Sequence, residues 1–336
     1  MIKVAINGFG RIGRLACRAL LEDPAFEVVA INDLGSPEAM AYLLQYDTAQ
    51  GKWDRAVCAV GDSISVGEKP IRVYAEQDPS RLPWKDLGID LVLECTGFFT
   101  TLPKASQHLS AGAKRVIVSA PAGNDMKTIV YNVNHEILDG GDRVISCASC
   151  TTNCLAPMAK VLDREFGIVT GQMSAIHAYT NSQPLLDTAR STGNLRALRA
   201  APTNVVPYST GAAKAIGLVI PELAGKLDGS SQRVPVDSGS LVELFTVLEK
   251  EVDVDRVNEA MRAASNESFG FNEALIVSSD ILGMRFGSLF DATQTKLTQG
   301  SGVQMLKTVA WYDNEMSFVS QMLRTGKYLA SSMEKQ

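Results

Sequence analysis

Short apolar runs alternate with helical apolar spacing through the first half of the chain, whereas in the second half the apolar runs follow one another with few helices between. Residues 3–7 (KVAIN) predict a strand that meets the turn Gly8-Phe9-Gly10-Arg11-Ile12-Gly13, after which Ile12, Leu15, Ala16, Ala19 and Leu20 recur at helical spacing. A second apolar strand, Glu27 to Asn32, ends at Asp33. Further strands are predicted at Ile89–Cys95, Arg115–Ser119 and Arg143–Cys147, with a helix over Leu102–Ala111. This alternation predicts an α/β unit with a doubly wound parallel sheet.

In the second half, Leu241–Leu248, Ala274–Val277 and Val303–Trp311 read as strands and Val254–Ala264 as a helix. Strands in succession predict an α+β domain with a mostly antiparallel sheet. Asn314–Ser331 reads as a closing helix.

Composition narrows the class without changing that picture. At 336 residues two domains are expected, and 46% hydrophobic with 21% charged residues is close to a globular average. The 32 Lys and Arg against 37 Asp and Glu leave a net charge of -5, which disfavours disorder and a basic nucleic-acid footprint. No run of 18 apolar residues predicts a membrane span, and the opening residues lack the unbroken apolar segment of a signal peptide, so the expected compartment is the cytoplasm. Six cysteines fall far short of a disulfide scaffold, and three histidines, His108, His135 and His177, leave little for a metal cage.

The strand, the glycine turn, the helix and an acid twenty residues past Gly13 have the spacing of a Rossmann-type dinucleotide site. Gly8 permits the tight turn, Gly10 lets the backbone approach a pyrophosphate, and Gly13 lets helix and strand pack closely. The helix N-terminus offers N–H groups to phosphate, and Asp33 suits a ribose 2′-hydroxyl, favouring NAD over NADP. Thr96 and Ser119, at strand ends, are further candidate cofactor contacts or ordinary turn residues.

The predicted strand to Cys147 runs into Ser149-Cys150-Thr151-Thr152-Asn153-Cys154, and an amphipathic helix continues to about Phe166. Ser149 is a plausible N-cap that places Cys150 in the first turn. A metal or iron–sulfur site, a redox pair of Cys147 and Cys150, and simple burial all compete; burial suits Cys147 and Cys154, while the polar cluster around Cys150 favours a nucleophile. Lowering a thiol pKa by two units takes about 2.7 kcal/mol, and a helix terminus supplies only about 0.3–1 kcal/mol. A further partner is needed, and an imidazolium is the expected one. His177, on a strand where it alternates with Ile176 and Ala178, is preferred to His135 in a loop and His108 on the polar side of a helix, both of which read as solvated. Ser209-Thr210-Gly211-Ala212-Ala213-Lys214 opens a helix, and with Arg233 would form a phosphate site if the two converge.

Ile6-Asn7-Gly8-Phe9-Gly10-Arg11-Ile12-Gly13-Arg14, Ser149 to Cys154, His177-Ala178-Tyr179-Thr180, Ser209 to Gly217, Arg233-Val234-Pro235 and Trp311-Tyr312-Asp313-Asn314-Glu315 resemble the glyceraldehyde-3-phosphate dehydrogenase family over nearly the whole chain. The resemblance implies a cytoplasmic homotetramer that oxidises glyceraldehyde 3-phosphate with NAD and inorganic phosphate to 1,3-bisphosphoglycerate, with no metal, nucleic-acid or membrane partner. It implies a dinucleotide-binding domain over 1–149 completed by the helix 314–336, and a catalytic domain over 150–313. By position Cys150 matches the nucleophile and His177 the base. Asn7, Gly8, Gly10, Arg11, Ile12, Gly13, Asp33, Thr96, Ser119, Asn181 and Asn314 match cofactor positions, and Ser149, Thr151, Thr180, Arg199, Thr210, Gly211 and Arg233 match positions for substrate or inorganic phosphate.

The chain departs from the family pattern at Ser182, where a carboxylate is usual, at Ala197, where the middle arginine of a basic segment is usual, and at Thr188-Ala189, where Leu-Pro is common. Arg190, Arg196 or Arg199 is then expected to substitute for the missing arginine, or phosphate to bind more weakly. Phe318, in place of a tyrosine, reads as a packing variant. Erythrose 4-phosphate as substrate, acceptance of NADP, or a redox-sensing or adhesion role are the alternative readings.

Overall fold

The computed structural model describes residues 1–191 and 193–331. Thr192 and residues 332–336, the end of the segment expected to complete the first domain, lie outside the described residues. The chain divides into two compact units, one of residues 1–149 with the stretch from Val319 onward, the other Cys150–Phe318.

In the first unit the strands are β1 (Ile2–Asn7), β2 (Phe26–Asn32), β3 (Val57–Val60), β4 (Ser63–Val66), β5 (Lys69–Tyr74), β6 (Leu91–Glu94), β7 (Arg115–Val118) and β8 (Val144–Ser146). They form one sheet in the order β3-β4-β5-β2-β1-β6-β7-β8. The pairings from β5 across to β8 are parallel, and only β3, β4 and β5 pair antiparallel. Val4, Ala5, Ile6, Val92 and Val116 are all sealed from solvent, because helices cover both faces of a parallel sheet. Helix α1 (Arg11–Glu22) follows β1, and α2 (Pro37–Gln45) follows β2.

The turn between β1 and α1 cannot carry ordinary side chains at two of its glycines. Gly8 has φ +92, and a Cβ there would lie 2.7 Å from the Thr96 nitrogen. A Cβ on Gly13 would lie 2.1 Å from the Gly8 carbonyl oxygen. Gly10 has open space on its Cβ side, with nothing within 4 Å.

The second unit holds β9 (Ile168–Ala178), β10 (Val206–Ser209), β11 (Leu227–Val234), β12 (Ser240–Leu248), β13 (Phe269–Asn272), β14 (Ser288–Asp291), β15 (Lys296–Gly300) and β16 (Val303–Tyr312). Their order is β10-β11-β9-β12-β16-β14-β13, with β15 on β16, and the pairing is antiparallel except for β11 with β9 and β13 with β14. Helices α3 (Cys150–Phe166), α4 (Ala212–Val219) and α5 (Val254–Ala263) belong to this unit. The chain thus has an α/β architecture with a doubly wound sheet and a second, mostly antiparallel sheet.

Two predicted elements require correction. The strand expected at Ala274–Val277 is irregular backbone with Leu275 exposed, and the strand is the preceding Phe269–Asn272. An apolar run without a neighbour to pair against does not become a strand. The helix expected over 102–111 is two single-turn helices, Leu102–Ala105 and Gln107–Ser110, that meet at Ser106.

The two glycine environments separate stability from ligand access. Gly13→Ala is expected to lower the free energy of unfolding by on the order of 3 kcal/mol through overpacking, whereas Gly10→Ala should cost at most about 1 kcal/mol of helix-cap preference. Denaturant midpoints of the two variants would check the contrast.

Candidate active site

Cys150 begins α3, immediately after the short strand β8 and the loop through Ser149, and it is half-buried. His177 lies near the end of β9, whose Met173, Ala175 and His177 turn one buried face inward. Its Nε2 stands 3.4 Å from Cys150 Sγ. The imidazole Nδ1 lies 2.6 Å from the Ala178 carbonyl oxygen. With the ring proton donated to that carbonyl, Nε2 keeps its lone pair toward the thiol, the tautomer a base requires.

Arg233 reaches this pair because β11 runs parallel to β9 with Arg233 opposite His177. Its Nη1 stands 2.9 Å from His177 Nδ1 and donates to Ala178 O at 3.1 Å, while its guanidinium sits over the Tyr208 ring. Tyr312 closes the site from β16, its hydroxyl 2.9 Å from Thr151 Oγ1 and its ring edge-on to the imidazole.

These neighbours set the protonation of the pair. Burial pushes the Cys150 thiol up, opposed by the charge of Arg233 and by hydrogen bonds at Thr151. Burial, reinforced by Arg233, lowers His177 to about 3. The expectation of an imidazolium partner is therefore corrected: in the free chain the ring is neutral, because it is buried and a guanidinium occupies its other side. Arg233 supplies the cationic help to the thiol instead.

The other two histidines also depart from expectation. His108 is fully buried, between Glu94 and the Trp84 indole, and not solvated. His135 lies in a 3-10 turn and is half-buried between the rings of Tyr131 and Tyr328. All six cysteines are free thiols, with Cys147 and Cys154 buried.

Of the residues expected at cofactor positions, Gly8, Gly10, Arg11, Ile12 and Gly13 form the turn and the start of α1, a helix without a side-chain cap. Asp33, just past β2, accepts the Phe9 N–H at 2.6 Å and the Gly35 N–H at 2.9 Å, which orients its carboxylate at the turn. Arg11 is ion-paired with Asp47. Asn7 turns inward and is buried, bonded to Glu94 and Asn32, so its side chain does not face a ligand. Thr96 bonds to Glu94, and Ser119 hydrogen-bonds with Cys95. Asn181 and Asn314 belong to the second unit. Asn181 is exposed, while Asn314 is buried and its Oδ1 accepts from Ser238, Gly239 and Ser240. An open Cβ direction at Gly10, an uncapped helix start and an oriented acid make a cradle that fits a dinucleotide.

Among the residues expected to hold phosphate, Arg233 and Thr151 stand at the pair. Thr180 lies two residues past β9, its hydroxyl 3.0 Å from that of Ser182, and Thr210 with Gly211 opens α4, where Thr210 Oγ1 accepts the Ala212 N–H. Ser149 is half-buried just before α3. Arg199 is exposed and paired with Asp187 at 2.7 Å. Ala197 is buried, and Arg190 reaches back to the carbonyls of Ser182 and Ala197.

The sequence reading missed Tyr312 and Tyr208 as site residues. Tyr312 was within view in its motif, but only the register of β16 beside β12 places it. Strand β11 (LDGSSQRV) has apolar residues only at its ends, so no periodicity announced it.

Comparison with known proteins agrees across both units. Residues 2–102 match the family described as glyceraldehyde 3-phosphate dehydrogenase, NAD binding domain, and residues 149–314 match glyceraldehyde 3-phosphate dehydrogenase, C-terminal domain. The chain is 58% identical over 330 residues to a glyceraldehyde-3-phosphate dehydrogenase of Clostridium acetobutylicum and 59% identical to that of Clostridium pasteurianum, in each case over 98% of this chain and 99% of the relative. It is 56% identical over 331 residues to that of Streptococcus pyogenes, over 98% of both chains.

The neutral imidazole yields a direct expectation. In the free chain His177 should show no titration between pH 5 and 8, and Arg233→Leu should move its titration upward because a facing positive charge is lost. The His177 Cε1–H resonance followed against pH reads both; a native titration near pH 6.5 would contradict the assignment.

Proposed function

The chain belongs to the glyceraldehyde 3-phosphate dehydrogenase family, and from that premise we propose that it oxidises glyceraldehyde 3-phosphate with NAD and inorganic phosphate, Cys150 acting as nucleophile and His177 as base. The observation that carries this assignment of residues is the 3.4 Å approach of Cys150 Sγ to His177 Nε2, on a nitrogen held as acceptor.

The steps balance as follows. His177 takes the thiol proton as Cys150 Sγ bonds to the aldehyde carbon, and returns it to the carbonyl oxygen, leaving a thiohemiacetal and a neutral ring. NAD, when bound, supplies the hydride acceptor. As the hydride leaves carbon, His177 accepts the hydroxyl proton and the carbon becomes a thioester on Cys150. Inorganic phosphate then attacks that carbonyl, giving up its proton to solvent, and expels the Cys150 thiolate, which takes back the proton held on His177, giving 1,3-bisphosphoglycerate and the starting thiol and neutral ring.

The residues proposed for these ligands follow from their placement. The β1–α1 turn with Asp33 would hold the dinucleotide, Asp33 accepting from a ribose 2′-hydroxyl that a 2′-phosphate would replace with repulsion. Arg233, Thr151, Thr180 and Thr210 would take phosphate groups, with Arg190 in the region where the missing arginine at position 197 leaves a gap in positive charge. A cytoplasmic homotetramer is part of the same reading. Leu185, Leu186, Leu195 and Val205, all strongly exposed in the second unit, offer apolar surface to a second copy.

Cys150→Ser is expected to abolish NAD reduction, and His177→Asn to lower kcat by about 10²–10⁴, the usual worth of a positioned base. Formation of NADH from glyceraldehyde 3-phosphate, followed by absorbance with phosphate, with arsenate and with neither, checks the sequence of steps. Sustained turnover without either anion, or substantial turnover by Cys150→Ser, would contradict it.

A further inference from the structure

The first unit buries a polar relay that the reaction steps above do not use. Glu94, at the end of β6, and His108 are 1% and 0% exposed. Glu94 Oε2 accepts from Asn7 Nδ2 at 2.5 Å and lies 3.1 Å from His108 Nε2. Its Oε1 accepts the Thr96 N–H at 2.7 Å and the Thr96 hydroxyl. Asn7 Oδ1 accepts from Asn32 Nδ2 at 2.7 Å, and Asn32 Oδ1 accepts the Glu76 N–H at 2.9 Å. On the other side the Trp84 indole Nε1 donates to His108 Nδ1 at 3.0 Å.

The direction of every bond in this chain is forced by its two ends. An indole nitrogen and a backbone N–H can only donate. Trp84 therefore requires a lone pair on His108 Nδ1, which puts the ring proton on Nε2, facing Glu94. The Glu76 N–H likewise fixes the carbonyl side of Asn32, which fixes that of Asn7, whose amide N–H then points to Glu94. Donors arrive from both ends and from Thr96, so the group where they meet must accept on both oxygens. A proton on Oε2 would face the Asn7 and His108 donors, and on Oε1 the Thr96 N–H takes one lone pair, leaving the Thr96 hydroxyl as the one neighbour able to receive a proton.

Where this convergence lies matters more than its polarity. Asn7 precedes Gly8, and Gly8 is packed against Thr96, with a Cβ position only 2.7 Å from the Thr96 nitrogen. Glu94 thus ties together the ends of β1 and β6, the two strand ends on which the glycine turn rests.

We infer that Glu94 is a positioning residue for the cofactor: as the acceptor-only sink of this buried relay it locks Asn7-Gly8 and Thr96 into the arrangement that receives the dinucleotide. This rests on the reading that the glycine turn holds NAD. Glu94 touches no reacting atom and acts through the backbone of the turn. Its loss would reach the chemistry only through cofactor binding.

The test uses Glu94→Gln, which keeps size but turns an N–H toward donors, and the double variant Glu94→Gln with Asn7→Asp. The second change returns an acceptor-only group to the relay one residue along, within reach of the His108 nitrogen, which lies 3.4 Å from Asn7 Nδ2. Titration with NADH, read by fluorescence, is expected to show Glu94→Gln about tenfold weaker than the native chain, the factor given by about 1.4 kcal/mol. The double variant is expected to recover most of that loss. Steady-state rates should place the defect in KM for NAD more than in kcat, while alkylation of Cys150 by iodoacetamide in the free chain stays at its native rate. Native NADH affinity in folded Glu94→Gln would overturn the inference, as would a double variant with native melting temperature and the single variant's weak affinity. If Glu94→Gln does not fold, the double variant decides alone, by the same affinity. Gly10→Val, which adds bulk where only a ligand would meet it, separates the two levels: if it abolishes binding while Glu94→Gln does not, only this inference fails, and if neither affects binding, the dinucleotide reading of the turn fails with it.

Discussion

The second unit depends on one register: Arg233 opposite His177 on neighbouring parallel strands. Parallel pairing in a mostly antiparallel sheet sets a guanidinium 2.9 Å from the imidazole nitrogen that faces away from the thiol. That placement adds to burial in keeping the ring neutral and puts a positive charge near enough to Cys150 to oppose the effect of burial on its thiol, while the Ala178 carbonyl orients the ring. The start of α3 contributes less, since a helix terminus is worth only about 0.3–1 kcal/mol to a nearby anion. Among the influences that lower the thiol the Arg233 charge comes first, ahead of the hydrogen bonds at Thr151, though burial outweighs it.

The first unit solves a different problem with the same economy. A turn proposed to receive a dinucleotide must let backbone come close to an anion, so it cannot be braced by bulky side chains on its outer surface. Gly10 leaves that surface bare, while Gly8 and Gly13 pack the turn inward onto Thr96 and onto itself. On the proposed reading the bracing lies underneath, in a relay whose last donors, from Asn7, His108 and Thr96, meet on Glu94. Rigidity on the inner side and open space at Gly10 on the outer side are complementary requirements of one site.

Much of this was legible in the sequence, and the exceptions share a cause. The strand, glycine turn and helix at 3–20 could be read because local spacing and close packing impose the same residues. The pairing of Cys150 with His177 could be read because few other histidines compete. By contrast, His108 looked solvated from its helical position, since nothing local reveals that Trp84 and Glu94, 24 and 14 residues away, enclose it. Strand β11 was hidden because its middle residues are Asp, Gly, Ser, Ser, Gln and Arg, held in the sheet by neighbours on both sides and not by their own apolarity. Partners distant along the chain decide such cases, and periodicity carries no information about them.

The neutral resting pair sets when the ring carries charge in the two-step chemistry. A thiolate–imidazolium pair would begin with a protonated ring, yet either pair reaches the thiohemiacetal with a neutral ring, because the imidazolium gives its proton to the nascent alkoxide. With Arg233 against Nδ1 the ring holds a second proton while the carbon–sulfur bond forms, hands it to the nascent alkoxide, and takes one up again as the hydride departs. Charge separation is thus absent from the resting pair and arises only within these two steps. The same guanidinium that raises the cost of the imidazolium lowers that of the thiolate, so the proton transfer is opposed on one side and assisted on the other. On the proposed assignment, His177 therefore enters each step of the oxidation as an acceptor, which is the condition a single base must meet to serve twice.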